Sequence, residues 1–188
     1  MGEVLYHFVD QFALEHILET DCLVAGINDM REVVKGKYAL SLTRRFDFPW
    51  KNIRLAIDHR TLAQNYRIVP VHFYNAGGTE DGHDYRDLSH QYNKDHAAMF
   101  GKDFRNQYEM RLITNTDPNI PLDRYLLGVD ICIDSSKVMF PTRYREDLTP
   151  EMQIEAIKAS FDVPVNIVER FKPFPYYPID QNYTRVKR

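Results

Sequence analysis

Cysteine is almost missing from this chain: Cys22 and Cys132 are the two among 188 residues. Two cysteines with no CxxC pair cannot build a zinc site by themselves. A single disulfide between them is the alternative to the simpler reading, two reduced thiols of a cytosolic protein. Long apolar runs are missing as well, and none reaches the roughly 20 residues that a membrane-spanning helix requires. The opening residues show neither a basic start nor an apolar signal core. Tyr6 stands where a myristoylation motif wants Ser or Thr. The chain is therefore expected to work in the cytoplasm. A basic excess is lacking too: 24 Lys and Arg face 27 Asp and Glu, for a net charge of −3 and a pI near 6.2, which argues against a general nucleic-acid binder. The basic runs Thr142-Arg143-Tyr144-Arg145 and Arg185-Val186-Lys187-Arg188 read as solvated ends. GxxxxGK[ST], GxGxxG after a strand, HExxH and GxSxG are all absent, which excludes the common P-loop ATPases, Rossmann dehydrogenases, zinc proteases and α/β-hydrolases. Enzymes that hold a dinucleotide without a glycine fingerprint are not excluded.

The residues present suit a folded α+β protein. Hydrophobic residues make up 44% of the chain and charged ones 27%, ordinary values for a globular core. The length fits one domain over 1–188, with a core over 1–170 and an extended aromatic and basic tail over 171–188. Residues 4–9 are β-rich and predict a first strand. Asp10 then stands at a helix N-cap position, with Phe12, Ala13, Leu14, Ile17 and Leu18 at helical spacing. A short helix is predicted over 29–35, stopped by Gly36. Strands are predicted over 38–42 and 53–57, a helical turn over 59–65, and a β-rich stretch over 66–74 that Pro70 confines to an edge or bend. The Gly-rich segment 75–82 reads as a loop, and 84–100 as an exposed helix or an ordered insertion. Strands are predicted again over 109–113 and 126–133. A helix follows, capped by Thr149 with Pro150 in its first turn and running to about Phe161, and then a strand over 163–168. Strands joined by occasional helices, without regular alternation, indicate α+β rather than a doubly wound sheet.

Three short motifs carry possible chemistry. A histidine on a strand, His7, can donate to a ribose hydroxyl or a phosphate; it can equally pack on the sheet with a satisfied hydrogen bond. In Ser41-Leu42-Thr43-Arg44-Arg45, strand alternation turns Ser41 and Thr43 to one face. Two hydroxyls there can orient a carboxylate or touch a ribose, and the two guanidinium groups match pyrophosphate oxygens; the alternative is a polar strand end. In Gln107-Tyr108-Glu109, Gln107 and Glu109 share a face. A carboxylate beside a sugar stabilises an oxocarbenium-like transition state, although the same residues also suit a solvent-facing strand start. Tyr6, Phe46, Phe48 and Trp50 are candidates for stacking on a planar ring, or for the core.

Taken in order, His7, Ser41 with Thr43, and Glu109 resemble the ADP-ribosyltransferase superfamily, in which a first-strand His or Arg, a Ser/Thr-rich strand and a later Glu line one NAD cleft. Leu5-Tyr6-His7 followed by a helix with Ile17-Leu18 is similar to the opening of several members. Gln107 two residues before Glu109 looks like their Gln-x-Glu signature. The resemblance covers roughly residues 3–113. It departs at Phe8, where many members have Gly-Thr or Gly-Ser, and in the long segment between Tyr74 and Gln107. Ser41-Leu42-Thr43-Arg44 and Ile57-Asp58 before Leu62 also resemble small bacteriophage proteins, which would place the chain in a host cytoplasm.

The resemblance implies mixed sheets with flanking helices around a cleft, and NAD as the cofactor. Arg44 or Arg45 would lie at the pyrophosphate, with His7, Tyr6 and Thr43 along the nucleotide. Ser41 would hold Glu109, Glu109 would engage the nicotinamide ribose, and Gln107 would position an acceptor, either a host protein or a nucleic acid. Two other readings compete. One is a non-catalytic binding protein, such as a phage inhibitor of a host protein, using the aromatic tail as an interface anchor. The other is a metal-dependent nuclease built on Asp81, His83, Asp84, Asp87 and His90.

Overall fold

The computed structural model describes residues 4–26, 38–47, 51–74, 90–92, 108–115, 117–132, 155, 158–159 and 161–175. These form a mixed α+β structure, mostly strands with few helices. They divide into two compact units, and the chain passes between them several times. One unit holds 1–22, 46–62 and 121–188; the other holds 23–45 and 63–120.

The first unit is a sheet in the order β11 (Val165–Val168), β10 (Leu126–Cys132), β4 (Ile53–Asp58) and β1 (Val4–Val9). β1 and β10 both run antiparallel to β4, while β11 runs parallel to β10. Alternation along β1 puts Leu5, His7 and Val9 on one face and Val4, Tyr6 and Phe8 on the other. The register then adds Leu55 and Ile57 to the first face, and Ala56 and Arg54 to the second. Leu5, Leu55 and Val129 are fully buried. Helix α1 (Gln11–Thr20) lies against β1. Asp10 caps it, accepting the Ala13 N–H at 3.0 Å. Asp21 ends it in a left-handed conformation, its N–H on the Ile17 carbonyl at 2.8 Å. Helix α2 begins at His59 and is capped by buried Asp58, whose carboxylate accepts the N–H groups of Arg60 and Thr61 and the Thr61 hydroxyl.

In the second unit, β3 (Tyr38–Thr43), β8 (Glu109–Thr114) and β5 (Arg67–Pro70) lie side by side and antiparallel, with β8 in the middle. β5 is the outer strand of the three and ends at Pro70, where the missing N–H of proline costs no ladder bond. Two small pairs accompany them: β2 (Cys22–Val24) with β9 (Asn119–Pro121), and β6 (His72–Tyr74) parallel to β7 (His90–Tyr92). At His90–Tyr92 the chain is strand where a helix or insertion is predicted. Of the helix predicted from Thr149, Glu155, Lys158 and Ala159 are described and helical. The predicted helix over 29–35 and the loop over 75–82 lie outside the described residues.

Residues 171–175 of the predicted tail return to the first unit. Phe171 is buried and meets Phe8 edge-on, with ring centroids 5.4 Å apart. Phe174 packs on Val4, Tyr6 and Ala56. No helix among the described residues is long and apolar enough to cross a membrane.

Candidate functional site

The site is built on the β3–β8 pair. In its register Ser41 faces Arg111 and Thr43 faces Glu109. Strand alternation therefore gathers Ser41, Thr43, Glu109 and Arg111 on one face, while Leu40, Leu42, Met110 and Leu112 occupy the other. The apolar face is buried throughout, which fixes the register, because a slip of either strand by one residue would turn its two apolar side chains to the polar face.

On the polar face the Ser41 hydroxyl donates to Glu109 Oε1 at 2.7 Å. Arg111 Nε donates to the same oxygen at 3.0 Å. The Glu109 side chain is 10% exposed and that of Arg111 5%, so this is a buried, charge-assisted network rather than a surface ion pair. Both donors act on Oε1, and among the described residues Oε2 accepts no hydrogen bond. A carboxylate oxygen held in place but left without a donor is costly when buried. It is therefore suited to receive a donor from a ligand.

The strand end beside this carboxylate is polar. The Arg44 N–H reaches the Tyr108 carbonyl at 3.3 Å, and the Arg45 N–H reaches the Thr43 hydroxyl at 2.9 Å. The Arg44 and Arg45 side chains are exposed, and among the described residues their guanidinium groups have no hydrogen-bond or ion-pair partner. Tyr108 is 65% exposed.

Of the residues singled out in the sequence, Ser41, Thr43, Arg44, Arg45 and Glu109 come together here. Gln107, Phe48 and Trp50 lie outside the described residues. His7 and Tyr6 belong to the first unit, and as strand neighbours they point to opposite faces of β1. Tyr6 is occupied by the interior: it is 4% exposed, the Arg54 guanidinium lies 4.6 Å from its ring centre, and its hydroxyl accepts the Phe174 N–H at 3.0 Å. That leaves no open ring face for a ligand, so the assignment of Tyr6 to cofactor binding gives way to a structural role.

Two residues of the site escape a reading of the sequence. Arg111 carries a signal, since it stands two residues after Glu109 and so shares its face. Tyr108 carries none. Among the described residues no three His, Cys, Asp or Glu side chains gather as a metal site, and Asp81, His83, Asp84 and Asp87 lie outside them. Comparison with protein-family models, with curated proteins and with solved structures finds no match.

Proposed function

We propose that the β3–β8 strand end is the nucleotide-sugar site of an NAD-dependent ADP-ribosyltransferase. The observation that carries this reading is Glu109, whose Oε1 is fixed by Ser41 and Arg111 while Oε2 is left for a ligand. NAD supplies a nicotinamide–ribose bond whose cleavage leaves positive charge on the sugar. A carboxylate that accepts a ribose hydroxyl orients that sugar and offsets the charge as it grows. Two strands rather than a loop hold Glu109, so little reorganisation is needed when the charge develops.

Ser41 positions the carboxylate and Arg111 balances its burial. Arg44 and Arg45 present guanidinium groups that are unpartnered among the described residues at the same strand end, suited to a pyrophosphate. His7 and Gln107 keep their roles toward the nucleotide and the acceptor on the strength of the resemblance alone. The acceptor we propose is a host protein or a nucleic acid, with water as the alternative. The rival reading as a binding protein loses part of its support, because Phe171 and Phe174 cover their own unit.

The test is label transfer from adenylate-labelled NAD, with and without a cell lysate. The expected result is label on a macromolecule or on free ADP-ribose, lost in Glu109→Gln. Absence of any product, together with no NAD-induced rise in melting temperature, would overturn the proposal and favour the binding protein.

A further inference from the structure

We infer that Tyr108 is a ring-stacking ligand contact, which reads the planar heterocycle of the nucleotide held at Glu109; this rests on the NAD reading above. Among the described residues, Asp21 and Tyr108 are the non-glycine residues with positive φ. Asp21 has a local reason, since it closes α1 through its N–H, and Asp is among the residues that tolerate this region. Tyr108, at φ 50°, has neither advantage. An aromatic side chain is a poor occupant of the left-handed region, and such strain persists where the surroundings enforce it and function uses it.

Strand pairing begins directly at this residue. The Tyr108 carbonyl takes the Arg44 N–H, and the next carbonyl, that of Glu109, takes the Val71 N–H at 3.0 Å. The side chain contributes nothing in return: it is 65% exposed, and among the described residues it has no hydrogen bond or ring contact. Packing among the described residues does not account for this side chain, whereas a bound planar ring would. Its neighbour in the chain is a nine-tenths buried carboxylate with an oxygen unpartnered among the described residues. Its backbone partner is Arg44, one of two arginines whose guanidinium groups have no partner among the described residues. A donor-seeking carboxylate, a phosphate-seeking pair and an exposed ring together match the sugar, the phosphate and the base of a nucleotide. Every base has a face on which an aromatic ring can stack.

Calorimetric titration of the full chain with NAD and with ADP-ribose, alongside melting curves, tests this. Tyr108→Phe should bind within about twofold of wild type. Tyr108→Gly should weaken binding by about tenfold or more, the usual scale of one lost base–aromatic stack. The same Gly variant should melt about 2–4 °C higher, because glycine relieves the backbone strain. A ring needed only for folding would lower both stability and binding, so a lower melting temperature would overturn the inference. Weakening of both ligands would identify adenine as the stacked ring, and weakening of NAD alone would identify nicotinamide; either result supports it. Wild-type protein that binds NAD while Tyr108→Gly binds equally well overturns this inference and leaves the NAD reading standing. Wild-type protein that binds neither ligand overturns both.

Discussion

Glu109 and Asp10 show how differently two carboxylates are used. Glu109 is nearly buried, receives both its donors on one oxygen, and among the described residues has no donor on the other. Asp10 is more exposed and fully engaged: one oxygen caps α1 through Ala13 and the other pairs with Lys51. Partial burial alone would raise its pKa, but the hydrogen bond from Lys51, the Ala13 N–H and the Lys51 charge outweigh it and hold the carboxyl below its ordinary value. A depressed folded pKa adds stability above the unfolded value and loses it as pH falls through the folded one. Asp10→Asn retains an oxygen for the cap but gives up the charge. Its melting temperature should therefore fall below that of wild type at pH 7, and the gap should close as the pH drops below about 4. A gap of the same size at pH 3 and pH 7 would show that the Lys51 pair adds nothing to stability.

The first unit is organised around one buried cation. Arg54 on β4 donates to Asp130 Oδ2 through Nε and Nη2, and to the carbonyls of Phe46 and Lys172 through Nη1. Its guanidinium lies between the rings of Tyr6 and Phe171, 4.6 and 4.9 Å from their centres. Asn166 satisfies the other Asp130 oxygen at 2.8 Å. This network ties β4, β10, β11 and the segment after β11 together, and its members are far apart in sequence. Arg54→Ala leaves Asp130 buried without its cation, a change that costs about 3–5 kcal/mol; urea denaturation should show a loss of that size, and a loss near zero would refute the tie.

Gly128 on β10 is the steric counterpart. A Cβ there would sit 2.6 Å from the Phe174 ring and 3.1 Å from the Pro164 carbonyl. Gly128→Ala should destabilise by about 1–3 kcal/mol through overpacking. Combining it with Phe174→Leu should recover part of that loss. An additive double variant would mean that the two side chains do not meet.

The long strands are legible in the sequence because each buries an alternating or continuous apolar face, as in Leu40 and Leu42 or Met110 and Leu112. α1 announces itself through Asp10 and the spacing of Leu14 and Ile17. β2 and β9, at three residues each, are too short to show a period. Their existence depends on a partner that the local sequence does not name.

Much of the candidate site follows the same division. The alternation that puts Ser41 with Thr43 on one face is local and readable. That Ser41 meets Glu109 depends on the β3–β8 register across 68 residues, and the resemblance to a known site, not periodicity, suggests it. Tyr6 shows the reverse case: an aromatic beside a candidate histidine suggests a ligand contact, but Arg54 and Phe174, contributed from distant segments, claim it for the interior. The left-handed backbone at Tyr108 has no sequence signature, since tyrosine is not a residue that prefers it.

At the scale of the whole molecule, the proposed chemistry is that a strand-held carboxylate in the second unit would engage the ribose of NAD. The decisive measurement is nicotinamide release from NAD, with and without a cell lysate, by wild type and by Glu109→Gln, both checked for an intact fold by melting. Wild type should release nicotinamide measurably, and the variant should lose about 100-fold or more of that rate, the scale on which a transition-state charge partner acts. Equal release by the two proteins, or none from wild type, would contradict it and leave Ser41, Glu109 and Arg111 as a structural network of the second unit.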